Sequence, residues 1–417
     1  MSPKESLRLP TGQAGGIGEK KKIVVAMSGG LDSSVAAALL KRVGFDLIGV
    51  FMKFWHESLR DSPLINADSN ADLRGYENRC CSSEAEARAR KVAKILKIPF
   101  YVLNFEKEFK KKIVDYFLDG YKKGITPNPC VICNKEIKFG LLLEKALSLN
   151  ADFIATGHYA RKSELTTGNL QLTTDKLLRA KDKNKDQSYF LWMLNQEQLK
   201  RTLFPIGDYT REEVKNLARK FKLPVLKARK SVEICFIQTT INDFLKKRLK
   251  QKPGKIVCLT SDVKQDKQEV VSEHHGLWFY TIGQRKGIGL AGGPYWVLDK
   301  NLKKNLLIVT KNEKDLLKKE LICKNVNWIS GKTPKLPLKI KAKIRYRSQL
   351  ASATIYHPEG KPSASYGAGL KPKTYHLIFD RPQRAITPGQ SVVFYSPAEV
   401  STKAGKGQEV LGGGIIC

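Results

Sequence analysis

The sequence predicts an α/β protein: an N-terminal domain with a doubly wound parallel sheet, followed by a small central domain and a C-terminal β-barrel. Three observations carry this expectation. Apolar β-branched runs alternate with helical stretches through the first half of the chain. A glycine-rich turn joins the first strand to the first helix. Beyond about residue 255, short β-rich runs separated by Gly, Pro, Asn and Asp replace helical periodicity. At 417 residues and 41% hydrophobic, the chain has enough apolar material for two or three domains.

In chain order, residues 1–20, with Pro3, Pro10, Gly12, Gly15, Gly16 and Gly18, read as a flexible leader. That segment lacks the apolar core of a secretory signal, and no stretch of the chain is apolar for long enough to span a bilayer. A cytoplasmic protein with no membrane partner is expected. The run 22–27 (KIVVAM) is a strand, 33–43 a helix closed by Gly44, and 47–52 a second strand, a βαβ opening that places a ligand at the carboxyl ends of the strands. A polar, aperiodic stretch covers 55–79. Ser83 and Glu86 form a capping box for a helix to Leu96; then follow a strand at 100–105, a helix near 109–123, a loop with Pro and Cys, a helix from Lys135 and a strand at 153–156. Thr210 and Glu213 open another helix ending near Phe221. The last β-runs are 338–346, 353–356, 375–379 and 391–395. The expected domains are therefore 21–229, 230–332 and 333–417.

Lys and Arg total 74 against 40 Asp and Glu, a net charge of +34, which draws the chain to a polyanion, nucleic acid first. Charge alone does not separate this from a basic but merely solvated surface. Eight cysteines in a reducing compartment do not make a disulfide framework, so the closely spaced Cys130 and Cys133 suggest redox chemistry, catalysis or metal binding. Cys80 and Cys81, adjacent, suit packing better than chelation, and Cys258, Cys323 and Cys417 are isolated.

Ser28-Gly29-Gly30-Leu31-Asp32-Ser33 lies between the first strand and the first helix. Its glycines let the backbone approach an anion, and the helix start supplies free N–H groups. The Walker-A lysine, which reaches the terminal phosphates, is missing. The motif resembles the PP-loop of ATP pyrophosphatases, with the adenine nucleotide α-hydrolase-like fold, which split ATP between the α- and β-phosphates. That resemblance implies ATP along Ala26, Met27, Ser28, Gly29, Gly30, Leu31, Asp32 and Ser33, with Asp32 helping to hold Mg²⁺.

Thr126-Pro-Asn-Pro-Cys-Val-Ile-Cys-Asn-Lys-Glu-Ile-Lys-Phe139 sets two thiols before a helix whose dipole is expected to lower a thiol pKa and make it reactive. This segment is similar to the tRNA-specific 2-thiouridylase family. So are Gly157-His-Tyr-Ala-Arg161, Lys185-Asp-Gln-Ser-Tyr-Phe-Leu191, Ile234-Cys-Phe-Ile237, Tyr280-Thr-Ile-Gly-Gln-Arg-Lys-Gly287, Arg345-Tyr-Arg347 and Ala385-Ile-Thr-Pro-Gly-Gln390. The resemblance spans almost everything after Lys20. It implies an ATP-binding catalytic domain, a tRNA-binding central domain, and adenylation of the wobble uridine (position 34) at O2, with sulfur replacing that oxygen and AMP and pyrophosphate released.

By the same resemblance Cys133 attacks, Cys235 carries a persulfide, and Met52 and Gly157 touch the adenine side. Asn128, Pro129 and Cys130 border the base; Lys185, Asp186, Gln187, Arg345, Tyr346 and Arg347 meet tRNA. The partners implied are Lys, Glu and Gln acceptor tRNAs and a sulfur donor such as a cysteine desulfurase or sulfur-relay protein. The better-known form of the family has Asp where this chain has Cys130. Related thiouridine synthetases with three such cysteines imply that Cys130, Cys133 and Cys235 could hold a 4Fe-4S cluster. The rival readings are a PP-loop ligase for a small molecule, which needs neither Cys-x-x-Cys nor the positive charge, and a non-catalytic ATP-dependent RNA-binding protein.

Overall fold

The computed structural model describes residues 20–55, 81–165, 174–226, 234–259, 268–357, 374–402 and 405–417. The expected leader, most of the 55–79 stretch and Cys80 lie outside the described residues.

In the N-terminal domain, β1 (Lys22–Ala26), β2 (Asp46–Lys53), β3 (Phe100–Asn104), β4 (Phe153–Ala155) and, further on, Thr202–Leu203 make a five-stranded parallel sheet. Ile23, Val24 and Val25 are buried on both faces, as a strand covered by helices on each side requires. The order is β3-β2-β1-β4 and then Thr202–Leu203. Strand β1 pairs with β2 on one side and β4 on the other, so the topology switches direction at its carboxyl end. The glycine turn after β1 emerges there.

Helix α1 (Leu31–Val43) buries Val35 to Leu40 and closes on Gly44 in the left-handed conformation, as read from the sequence. Helix α2 (Ser83–Leu96) packs Ala85, Ala89, Val92 and Ala93 into the same core. Its cap is Ser82, which accepts from the Ala85 N–H, rather than the expected Ser83. A larger difference concerns the cysteines. The helix expected from Lys135 begins at Pro129 and continues through a π-type stretch, Asn134–Leu141, to Ser148. Proline at the first helical position has the right φ and loses no bonded N–H, so the thiols are helical residues and not loop residues.

The hairpin β5 (Ala160–Leu165) and β6 (Thr174–Arg179) follows β4. Counting Thr202–Leu203 as β7, the central domain adds β8 (Gly254–Leu259), β9 (Gln268–His274), β10 (Trp296–Asn301) and β11 (Leu306–Thr310), in the order β10-β11-β8-β9. Strands β12 (Leu317–Trp328), β13 (Leu338–Lys343), β14 (Ala351–Tyr356), β15 (Thr374–Arg384), β16 (Ser391–Tyr395), the short pair β17 (Val400–Thr402) and β18 (Gly405–Gly407), and β19 (Glu409–Ile416) follow. The order β12-β15-β14-β13-β16-β19, with β19 pairing back to β12, closes a six-stranded barrel.

Two pairings cross the boundaries drawn from sequence. Strand β12 precedes residue 333 yet belongs to the barrel, and β6, inside 21–229, pairs with β19. Register decides both, and composition carries no trace of it.

Candidate active site

The phosphate loop is rigid. Gly29 has φ +69°, and a Cβ there would fall 2.0 Å from the Ala85 carbonyl oxygen, so α2 abuts the turn and only glycine fits. Arg88 Nε donates to the Gly29 carbonyl at 3.2 Å. The Ser28 N–H donates to Ser33 Oγ (3.1 Å), and Ser34 Oγ donates to the Gly30 carbonyl (2.8 Å). Helix α1 starts at Gly30 with no side-chain cap, which leaves its first N–H groups for an anion. Gly157 lies where a Cβ would come 2.6 Å from Ser33 N. Its first duty is to let the chain after β4 pass the start of α1.

Asp32 does not stand alone. Tyr159 Oη donates to its carboxylate at 2.8 Å, and the Arg211 guanidinium forms an ion pair with it. Burial first, and then the Asp32 charge, push the Tyr159 phenol up, so it stays a donor. The sequence reading missed both partners. Arg211 is the first residue of the helix that Thr210 and Glu213 were correctly read to cap, and Tyr159 follows His158 in a quoted motif. Those were the available signals. His158 is buried, within 2.8 Å of Thr156 Oγ1 at Nδ1, and burial followed by the nearby Lys138 charge holds it well below the ordinary imidazole range. It is neutral and structural.

Cys133 is only 6% exposed, in an apolar cluster with Phe54, Phe109, Phe117 and Phe236. Phe236 lies edge-on to Phe109 (5.8 Å) and Phe117 (5.4 Å), which anchors its neighbour Cys235 beside the same cluster. Burial pushes the Cys133 thiol up to about 12; Lys138 opposes this, while Cys235 and Cys130 add to it. The three thiols are therefore electrostatic neighbours. The expectation of a dipole-activated thiol fails for Cys133. A helix dipole is worth about 0.3–1 kcal/mol, less than the roughly 1.4 kcal/mol of one pKa unit, and burial outweighs it. Among the described residues, no group of three or more His, Cys, Asp or Glu stands in metal-holding geometry.

Met52, next to last in β2, packs against the aromatic cluster around Cys133 and against the cluster that includes Ala26 at the end of β1.

Three family models match the chain in succession: the tRNA methyl transferase HUP domain over residues 21–239, the tRNA methyl transferase PRC-barrel domain over 242–311 and the aminomethyltransferase beta-barrel domain over 318–416. The tRNA-specific 2-thiouridylase MnmA of Clostridioides difficile is 42% identical over 402 residues, covering 95% of this chain and 98% of that protein. The tRNA-specific 2-thiouridylase MnmA 1 of Caldanaerobacter subterraneus is 45% identical over 399 residues, covering 95% and 97%. The chain belongs to the tRNA-specific 2-thiouridylase family.

Of the tRNA-facing residues that the 2-thiouridylase resemblance implied, several also have partners within the protein. Asp186 is buried, and its carboxylate accepts from Arg179 Nε (2.7 Å), Ala180 N (3.1 Å) and Ser188 N (3.2 Å). Gln187 Oε1 accepts from Tyr159 N at 3.0 Å. The Arg345 guanidinium donates to the Ala385 carbonyl and to Thr387 Oγ1 (2.7 Å). The Tyr346 ring lies 4.5 Å from that of Phe190. The Asp186 carboxylate and one terminal nitrogen of Arg345 are thus engaged within the protein. Lys185 and Arg347 are the exposed members. Asn128 caps the thiol helix, its side chain bonded to Tyr189, with Pro129 buried behind it. Among the described residues no helix is long and apolar enough to cross a membrane.

Proposed function

We propose that this chain is an ATP-dependent tRNA-uridine 2-sulfurtransferase that converts the wobble uridine of Lys, Glu and Gln acceptor tRNAs to 2-thiouridine in the cytoplasm. The observation that carries the reading is the presence, in one domain, of an uncapped, glycine-shaped anion site and of three neighbouring thiols. The first half suits pyrophosphate departure and the second suits sulfur delivery.

The chemistry balances. A ring carbonyl oxygen is a poor leaving group, so O2 attacks the α-phosphate of ATP and pyrophosphate leaves along the start of α1. Asp32 would help to hold Mg²⁺, which would supply positive charge for the departing pyrophosphate, and Arg211, ion-paired to Asp32, adds a second positive charge beside the loop. The terminal sulfur of a persulfide on Cys235 attacks C2, and O2 departs as AMP. The Cys133 thiolate then attacks the Cys235 sulfur, freeing 2-thiouridine and leaving a Cys133–Cys235 disulfide. An external thiol reductant supplies the two electrons that reopen it. A sulfur-relay protein or cysteine desulfurase reloads Cys235. Lys138, which opposes the rise of the Cys133 pKa, favours its thiolate.

Liquid chromatography of digested tRNA from a strain lacking this chain is expected to show the loss of 2-thiouridine. Unchanged 2-thiouridine would reject the reading. A second reading, an iron-sulfur cluster on Cys130, Cys133 and Cys235, is favoured only by the mutual proximity of the three thiols. Cys130→Asp separates the two: the persulfide route keeps activity, whereas the cluster route loses iron and thiolation together.

A further inference from the structure

The segment entering the thiol helix is held from outside its own domain. The Thr126 N–H donates to the Pro388 carbonyl (2.9 Å), and Gln390 Nε2 donates to the Thr126 carbonyl (2.9 Å). Both backbone groups of Thr126 are thus spent on one barrel loop, residues 385–390. Thr126 Oγ1 also lies 3.4 Å from Thr281 Oγ1 of the central domain. Two residues on, Asn128 bonds Tyr189, whose hydroxyl donates to the Ser391 carbonyl at 2.9 Å.

The barrel loop is itself fixed. Arg345 grips Ala385 and Thr387. Gly389, at φ +89°, comes so close that a Cβ would sit 2.9 Å from Thr126 N. At the other end of the helix, Asn134 Nδ2 donates to the Phe190 carbonyl (3.0 Å), and the Phe190 ring packs on Tyr346. Arg345 and Tyr346, adjacent in the chain, therefore brace opposite ends of the Pro129–Cys133 helix.

We infer that the barrel loop 385–390 is a positioning element that sets Cys130 and Cys133 against the reacting base, so that the C-terminal barrel takes part in the sulfur-transfer step. This rests on the sulfurtransferase reading. Reacting atoms must meet at close to van der Waals distance, and a misplacement of an ångström costs up to about 100-fold in rate. A helix whose lead-in, three residues before its start, is bonded to another domain moves with that domain.

The test uses the full-length protein with tRNA, ATP, Mg²⁺ and a persulfide donor. Gln390→Ala removes the bond to Thr126, and Gln390→Glu keeps the shape but presents only acceptors to a carbonyl. Both are expected to lower kcat for sulfur transfer about tenfold or more. KM for ATP and tRNA, pyrophosphate release and Tm stay at wild-type values. Gly389→Ala is expected to act at least as strongly; should it not fold, the Gln390 pair decides. Wild-type kcat in both Gln390 variants overturns the inference. So does full rescue by Gln390→Glu, which would mean packing alone, or a loss confined to the KM for tRNA, which would mean an RNA contact. A wild-type protein that makes no 2-thiouridine overturns instead the functional reading beneath it.

Discussion

The phosphate loop and the thiol site solve the problem of holding reactive groups in opposite ways. The loop is built from a single stretch of chain, 28–34, whose internal bonds join residues three to five positions apart, with α2, Gly157, Tyr159 and Arg211 closing on it from outside. The thiol site is assembled from distant pieces: Thr126 and Gln390, which bond each other, are 264 positions apart. A local site is fixed as soon as its strand and helix form, whereas a distributed one is correct only when three domains have docked. Substitutions in the first should therefore abolish one chemical step cleanly, and the second should report on the state of the whole molecule.

The largest effect that sharpens this contrast is expected at Asp32. Asp32→Ala removes the carboxylate that faces Tyr159 and Arg211 and leaves Arg211 uncompensated at the loop. Pyrophosphate release and thiolation are both expected to fall by about 100-fold or more, while tRNA affinity changes little. Normal pyrophosphate release from the folded variant would break the assignment.

A smaller effect is expected at Cys133 in the free enzyme. Burial keeps its folded pKa near 12, above the ordinary thiol value of 9.0, so the thiolate fraction is low at neutral pH and grows as pH rises toward that value. Alkylation of Cys133, followed by peptide mass spectrometry, should be slow at pH 7 and climb about tenfold per pH unit below pH 12 for as long as the fold persists. A rate that plateaus near pH 8 would show an already activated thiol and erase the difference between the two regions.

Legibility from sequence follows the same division. The βαβ opening, α1 with its Gly44 stop and the phosphate loop were readable because each is encoded within a short stretch of chain. Arg211 and Tyr159 escaped because their direction depends on how two later segments pack against α1. Asp186 and Arg345 were assigned to RNA through the motifs they sit in, and a motif carries no sign of the internal bonds both residues also make. The Cys133 environment was misread for a related reason. A helix dipole can be inferred from sequence, but the aromatic cluster that outweighs it draws on Phe54, Phe117 and Phe236, which are far apart in the chain.

The pairing of β6 with β19 also has a consequence for biogenesis. Lys176 and Glu409, joined by a 2.7 Å salt bridge across that seam, are separated by 233 positions. On the ribosome the β5–β6 hairpin is made long before the strand that covers its edge, and an uncovered edge recruits whatever strand it meets. Yield and solubility in the cell should thus be governed by how long that hairpin waits, with chaperone supply and synthesis rate mattering more than the stability of the finished enzyme.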